Sequence, residues 1–391
     1  MATSLEDLLS QEIDSPPTVV SPEREQVVVS ATSAVGMAQA GKLLPVNQVL
    51  NSVSSTEPIS FVNLTDNSTA FRFSPDWNSD LREIGSSEKV EAFVTVAGRE
   101  YQFTKEGIQA AASTIGLTSA YISKTPPSLI EPHFNYWYAE GLGGKKQNLF
   151  VTNGDTASAV TKASIEPFSN VRLLEEAVSV INSKYPGSSI LVDKKFTHTL
   201  NSTFLRLVIP DVIQIIDGTS VEEDAWSIGV QFKNSLTGKF QTEISGYLFR
   251  WWCANGAVDT MFSSGGWSRK QGGQGDAVYE WATDCFEQTL NGITESLAKI
   301  QHTTSQDVTS QVTDILRDIF SNNKIPVSLR DSVMNELVNL DSISNYDLMN
   351  AVTSVANTPG LDPFHVDSLM RIGGDIGLVD HSRCGSCHRS L

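Results

Sequence analysis

The sequence predicts an α+β protein, with a central antiparallel sheet, a helical C-terminal half packed on it and a disordered arm in front. Three observations carry that prediction. Between Ile59 and Arg250, apolar and polar residues alternate in runs paired across Gly- and Asn-containing turns, which is the period of strands. From Ala277 onward the apolar residues return every three or four positions, which is the period of helices. Before Ile59 a segment rich in Ser, Thr, Val and Gln is cut by Pro16-Pro17, Pro22, Pro45 and Pro58, so no long helix is expected there. The expected divisions are a disordered acidic arm over 1–58, an α+β domain over 59–275, a helical region over 276–380 and a flexible tail over 381–391.

Within the arm, Leu5, Leu8, Leu9 and Ile13 recur at helical spacing on an acidic background. The segment from Ser4 to Asp14 is read either as a short helix for the groove of a partner protein, or as a solvated tail. The folded part opens with ISFVNL, TAFRFS, KVEAFVTV and EYQFT as strands, the last two turning at Gly98-Arg99. Thr104 is the expected N-cap of the helix KEGIQAAASTIG and Gly116 its stop. Short helices punctuated by Pro126-Pro127 and Pro132 follow, then a loop from Gly141 to Lys146. NLFVTNG and ASAVTKAS are strands meeting at Asn153-Gly154-Asp155, before the amphipathic helix VRLLEEAVSVINSKY. The stretches ILVDKKFTHTLNSTFLRLVIP and SIGVQFKNSLTGKFQTEISGYLFRWWC supply the hairpins of the central sheet. Gly265 to Gly275 is expected to be a mobile glycine-rich loop, and helices fill the rest.

The chain has 391 residues, 40% of them hydrophobic, enough to bury a large core without staples. Four cysteines, Cys253, Cys285, Cys384 and Cys387, make no disulfide framework, and a reducing, cytoplasmic compartment is expected. The start MATSLEDLLSQEID does not read as a signal peptide, so export is not expected, and the most apolar stretch, Phe204 to Ile216, is interrupted by Arg206, Pro210 and Asp211, so no membrane contact is expected. A net charge of −17 counts against general attraction to phosphate backbones. That excess is uneven, since the first 60 residues are acidic whereas 101–210 are neutral to slightly basic.

Three stretches in order carry a family resemblance. They are YISKTPPSLIEPHFNYWY with LFVTNG and EPFSNVRLLEEAV after it, GVQFKNSLTGKFQTEISGYLFRWWCANG, and NYDLMNAVTSVAN with LMRIGGDIG. Over roughly residues 100–376 the chain resembles the phage- and plasmid-encoded family of uncharacterised domains numbered 932. The resemblance is carried by Tyr121, Pro127, Leu129 and Asn135; by Asn234, Ser235, Gly238, Arg250, Cys253, Asn255 and Gly256; and by Asn350, Ala351 and Thr353. Lys162-Ala163-Ser164 departs from the arginine-containing strand that the family carries. The resemblance implies a mobile-element protein and supplies no reaction.

Basic pairs at Lys145-Lys146, Lys194-Lys195 and Arg269-Lys270 occupy expected loops, where they are either solvated surface or contacts to a phosphate backbone. Arg250 and Trp252 share one face of a strand end, either as core or as a charge and a stacking surface for a base. His133, Tyr136, Trp137 and Tyr138 pose the same choice. Cys384, Cys387 and His388 spell the C-x-x-C-H haem-attachment pattern, not expected to take haem in a chain without export, and with His381 they offer zinc ligand types with little chain to wrap the ion. The tail is read either as a disordered terminus or as an adventitious or intersubunit metal half-site, and no metal or cofactor is assigned. Neither glycine-rich stretch ends as a P-loop does, and Glu222-Glu223-Asp224 reads as an acidic turn rather than a metal site. No catalytic constellation is legible. The leading expectation is a non-enzymatic accessory protein of phage or plasmid DNA metabolism binding single-stranded DNA or RNA through Lys145, Lys146, Lys194, Lys195, Arg250, Trp252, Arg269 and Lys270. The alternatives are a host-interaction or assembly protein and a metal-dependent nuclease-like enzyme.

Overall fold

The computed structural model describes residues 42–57, 60–64, 69–78, 81, 88–141, 146–163, 168–199, 202–219, 224–236, 240–251, 255–259, 267–269, 276–323 and 325–378. The chain is α+β, as its periodicities predict, but it carries two sheets rather than one.

The first sheet uses β2 (Ser60–Asn63), β3 (Ala70–Phe73), β4 (Lys89–Val96), β5 (Arg99–Thr104), β6 (Gln147–Thr152) and β7 (Thr156–Lys162), in the order β2-β6-β7-β5-β4-β3. Every pair is antiparallel except β5 with β7. Helix α2 (Lys105–Thr114) starts where Thr104 accepts the Gly107 N–H at 3.0 Å. It lies so close on β7 that a Cβ at Gly107 would stand 2.1 Å from the Ala157 carbonyl oxygen, so only glycine fits there. Helices α3 (Ser119–Ile122) and α4 (Pro127–Tyr136) follow, and α4 runs into a π-helical turn, Trp137–Gly141. Phe71, Phe103, Ile108, Phe134 and Tyr138 belong to this lobe's core.

The second sheet uses β1 (Leu43–Pro45), β8 (Leu191–Asp193), β9 (Thr197–His198), β10 (Thr203–Ile216), β11 (Asp224–Asn234), β12 (Thr242–Arg250), β13 (Asn255–Asp259) and β14 (Trp267–Arg269), with the path β1-β8-β10-β11-β12-β13. Its central strands are buried along nearly their whole length, as in a sheet covered on both faces. Alternation along β11 sorts the covering helices. Phe232 meets Phe286 of α6 (Ala277–Thr303) at 6.3 Å, and its neighbour Gln231, on the other face, donates to Asp367 of α10 (Pro363–Leu378) at 2.7 Å. Helices α1 (Val46–Thr56), α5 (Asn170–Lys184), α7 (Val312–Asn322), α8 (Val327–Leu337) and α9 (Asn345–Val355) complete a single core with this sheet. Ser344 and Asp347 form a capping box at the start of α9.

Three expectations are corrected. The expected disordered arm extends to residue 58, yet residues 42–57 form β1 and α1. Pro45 precedes the helix and Pro58 lies beyond it, so neither breaks it, and Leu43, Val46, Val49 and Val53 are buried in the core. The boundary at 275 is also displaced. Residues 60–162 build one sheet and core, whereas 168–378 share theirs with 42–57, because the C-terminal helices cover the sheet made by the strands before them. Finally, the expected loop from Gly265 to Gly275 contains β14, whose Trp267–Arg269 pair with Thr242, Glu243 and Ile244. Leu236 packs against Phe150 and Ala159, joining the lobes.

Candidate functional site

Of the eight sequence-selected residues, the four whose side chains are described, Lys146, Lys194, Lys195 and Arg250, do not form one face. Lys145, Trp252 and Lys270 lie outside the described residues, as do Ser4 to Asp14 and the Cys384, Cys387 and His388 cluster; Arg269 is in β14, its side chain not described. Lys146 is exposed at the entry to β6 in the first lobe. Lys194 and Lys195 turn out of β8 in the second, where the Lys194 N–H donates to the Lys42 carbonyl at 2.9 Å.

Arg250 is a correction. It is only 7% exposed, and its Nε and Nη2 donate to Asp224 Oδ1 and Oδ2 at 2.7 and 2.5 Å. Asp224, the last residue of the supposed acidic turn, is thus a buried strand residue, and the pair locks β11 to β12 where Trp226 faces Arg250 in register. The Tyr346 hydroxyl donates to Asp224 Oδ2 at 2.5 Å and accepts from Trp226 Nε1 at 3.0 Å. Burial pushes that phenol up, with the Asp224 charge adding to it against the opposing Arg250, so it stays a proton donor. Other residues of the family resemblance are also structural. Asn234 donates to the Phe168 carbonyl and Asn170 Oδ1 and accepts from Thr242 at 2.7 Å. A Cβ at Gly256 would stand 2.1 Å from the Tyr247 hydroxyl.

The aromatic group resolves into two populations. Helix α4 is fastened to the edge strand β3, since Asn135 exchanges hydrogen bonds with the Phe71 backbone at 2.7 and 3.0 Å and Glu131 accepts the Phe73 N–H at 3.1 Å. Ile130, Phe134 and Tyr138 therefore enter the core, and the remaining stripe turns outward. Leu129, His133, Tyr136 and Trp137 follow one another at i, i+4, i+7 and i+8, with Tyr136 57% and Trp137 39% exposed. Tyr121 of α3 stacks on His133 at 6.3 Å and 15°, with Lys124 exposed three residues on. The exposed aromatic residues thus lie along one side of α3 and α4, with the exposed Lys124 on the same short helix as Tyr121.

A cavity of about 270 Å³ opens beside the Lys194-Lys195 turn. Lys195, Phe196 and Thr197 form one wall and Asn357 and Thr358, after α9, another, with Arg206 of β10 between them. Arg206 Nε donates to Gln231 Oε1 at 2.6 Å, while Nη1 reaches the Lys195 carbonyl only at 3.5 Å. Nη2 has no hydrogen-bond partner among the described residues and lies 3.9 Å from Asp367 Oδ1. Behind it Asp367 is held by Arg371 at 2.9 Å and Lys233 at 3.6 Å. Burial alone would raise the Asp367 carboxyl, but Arg371, Lys233 and Arg206 together hold it down at about 2.

A second cavity of about 260 Å³ lies between the lobes, lined by Thr104, Thr152 and Thr199 with Lys89, Glu106 and His198. His198 Nδ1 is 3.0 Å from Thr203 Oγ1. Burial lowers its imidazole to about 4, against a hydrogen bond to the Val53 backbone, so the ring is neutral at physiological pH. Among the described residues no cluster of His, Cys, Asp and Glu is arranged to hold a metal ion, and no helix is long and apolar enough to cross a membrane. No protein-family model, curated protein or solved structure gives a significant match to the chain.

Arg206 and Thr358 are not among the candidate site residues that the sequence singles out. Arg206 carries one available signal, as a lone cation inside an apolar strand, a position that calls for buried partners.

Proposed function

We propose that this chain is a non-enzymatic accessory protein of phage or plasmid nucleic-acid metabolism that holds single-stranded DNA or RNA on the outward stripe of α3 and α4. The observation that carries the reading is the exposure of Tyr121, His133, Tyr136 and Trp137 along one side of these helices while their neighbours Phe134 and Tyr138 are buried. Bases of any identity stack on such rings, and the exposed Lys124 and Lys146, with Lys145 next to the latter in sequence, are the lysines assigned to phosphate contacts. Such a site needs no catalytic group, and its sequence tolerance suits an accessory role. The overall charge of −17 keeps duplex backbones off the rest of the surface. The family resemblance supports the mobile-element setting.

The test is anisotropy of labelled oligothymidine and oligouridine with the full chain, from low to physiological salt. Binding that weakens log-linearly with salt is expected, with the duplex bound less tightly than the single strand. Absence of single-strand binding at low salt refutes the reading and leaves the stripe to a protein partner.

A further inference from the structure

We propose that the cavity beside Lys195 and Arg206 is a binding site for the phosphate monoester of a nucleotide, separate from the aromatic stripe. Arg206 is 1% exposed, and a guanidinium at that depth is stable only when its donors are engaged. Its Nε side is engaged by Gln231, whereas on the Nη side Nη1 has one long hydrogen bond to the carbonyl of the wall residue Lys195 and Nη2 has none, only an ion-pair contact of 3.9 Å to Asp367 Oδ1. That edge is the fork that takes an oxyanion bidentately.

The charge around it agrees. The described lining holds two cations, Lys195 and Arg206, and no carboxylate, in a chain whose acids far outnumber its bases. The acids nearby are shared among several donors. Asp193 accepts the Tyr247 hydroxyl at 2.8 Å and the Lys195 N–H at 2.9 Å, and Asp367, 3.9 Å from Arg206 Nη2, is also held by Gln231, Lys233 and Arg371, so cations outnumber it. Two cations match the charge of a phosphate monoester, about −1.5 to −2 at neutral pH, better than that of a carboxylate. Thr197, Asn357 and Thr358 add neutral polar side chains to the lining, and Phe196, Phe204, Leu361 and Val366 make the rest of it apolar, as a base or sugar requires.

The phosphate can come from a free mononucleotide or from the 5′ end of a strand, and the same chemistry recognises both. The experiment is calorimetric titration of the full chain with AMP, adenosine and inorganic phosphate, followed by competition of AMP with oligothymidine bearing or lacking a 5′-phosphate. AMP is expected to bind saturably, with phosphate weaker and adenosine at least tenfold weaker than AMP. Lys195→Glu, a change in a partly exposed turn, should weaken AMP at least tenfold, as should Thr358→Val together with Arg206→Lys if that pair folds. Competition by the 5′-phosphorylated strand alone assigns the source to a strand end, and absence of competition by either strand assigns it to the free nucleotide; either outcome upholds the site. Equal binding of AMP and adenosine, no saturable binding of AMP at millimolar concentration, or unchanged AMP affinity in folded Lys195→Glu overturns it. Trp137→Ala should leave AMP affinity unchanged, so failure of the stripe to bind single strands does not touch this site.

Discussion

Arg250 grips Asp224 through two parallel hydrogen bonds of 2.7 and 2.5 Å, and the hydroxyl of Tyr346 closes the pair from α9. The ion pair fixes the register of β11 and β12 and ties a C-terminal helix to the sheet. Removing one partner strands the other in the core. Arg250→Ala is therefore expected to cost about 3–5 kcal/mol of stability in urea, and Arg250→Met combined with Asp224→Leu much less, because an apolar pair leaves no buried charge. Equal losses for the single and double variants would contradict this account.

Acid should weaken the protein in two separate windows. His198 titrates at about 4 in the fold and near its ordinary value of 6.5 when unfolded, so the unfolded chain binds the extra proton between those values. Its contribution is complete above pH 6.5 and is lost as pH falls toward 4, on the order of 2 kcal/mol given its partial exposure. Asp367, held down at about 2 against an ordinary value of 3.8, loses its contribution only below pH 3.8. The groups facing His198 are Thr203 and the Val53 backbone, with Lys89 and Glu106 lining the same cavity. Urea midpoints measured across pH should fall through the upper window in the native chain and stay flatter there in His198→Asn. A fall of the same size in that variant would assign the window to other groups.

Deleting 1–57 should be far more damaging than deleting 1–41. The additional residues carry Leu43, Val46, Val49 and Val53 into the core, each worth about 1.5–3 kcal/mol when fully buried. They also carry Glu57, whose carboxylate accepts the Val171 N–H at 2.9 Å and the Ser169 hydroxyl at 2.8 Å at the start of α5. A difference of at least about 4 kcal/mol between the two truncations, or failure of the longer one to fold, is expected in thermal and urea melts. Matching melting temperatures would show α1 to be dispensable.

Where local periodicity and local turn chemistry decide structure, the sequence is sufficient. The strands around Gly98-Arg99 and Asn153-Gly154, the Thr104 cap and the helices after Ala277 all lie as their patterns predict. The misreadings have a common cause in contacts between residues far apart in the chain. Pro45 looks like a break until it is seen to precede a helix that α5 and β8 bury. Asp224 ends an acidic triplet, and nothing local says that Arg250, 26 residues on, will cover it. The cavity at Arg206 combines a turn near 195 with another near 358, a juxtaposition that only the antiparallel sheet and the return of α10 create. The stripe on α4 is half legible. Its spacing is visible in sequence, but which side faces out is set by Asn135 and Glu131 bonding to β3.

If the stripe binds single strands, its rings and its lysines should fail in different ways. Stacking releases no counterions, so Trp137→Ala or Tyr136→Ala should weaken oligothymidine binding by about 1–3 kcal/mol each while leaving the dependence on salt nearly unchanged. Lys145→Glu with Lys146→Glu should instead lower the slope of log affinity against log salt by about 0.7 for each phosphate no longer neutralised, with all base sequences affected alike. Tyr136 and Trp137 are exposed, so neither truncation should cost the stability that a core cavity would, and unchanged melting temperatures will separate lost binding from lost folding. Phe134→Ala, one turn away but buried, gives the opposite signature: about 3–5 kcal/mol of stability lost, with binding declining only as the fold does. If Trp137→Ala changes the salt slope as much as the lysine reversals, the rings are not stacking on bases and the strand does not follow α4.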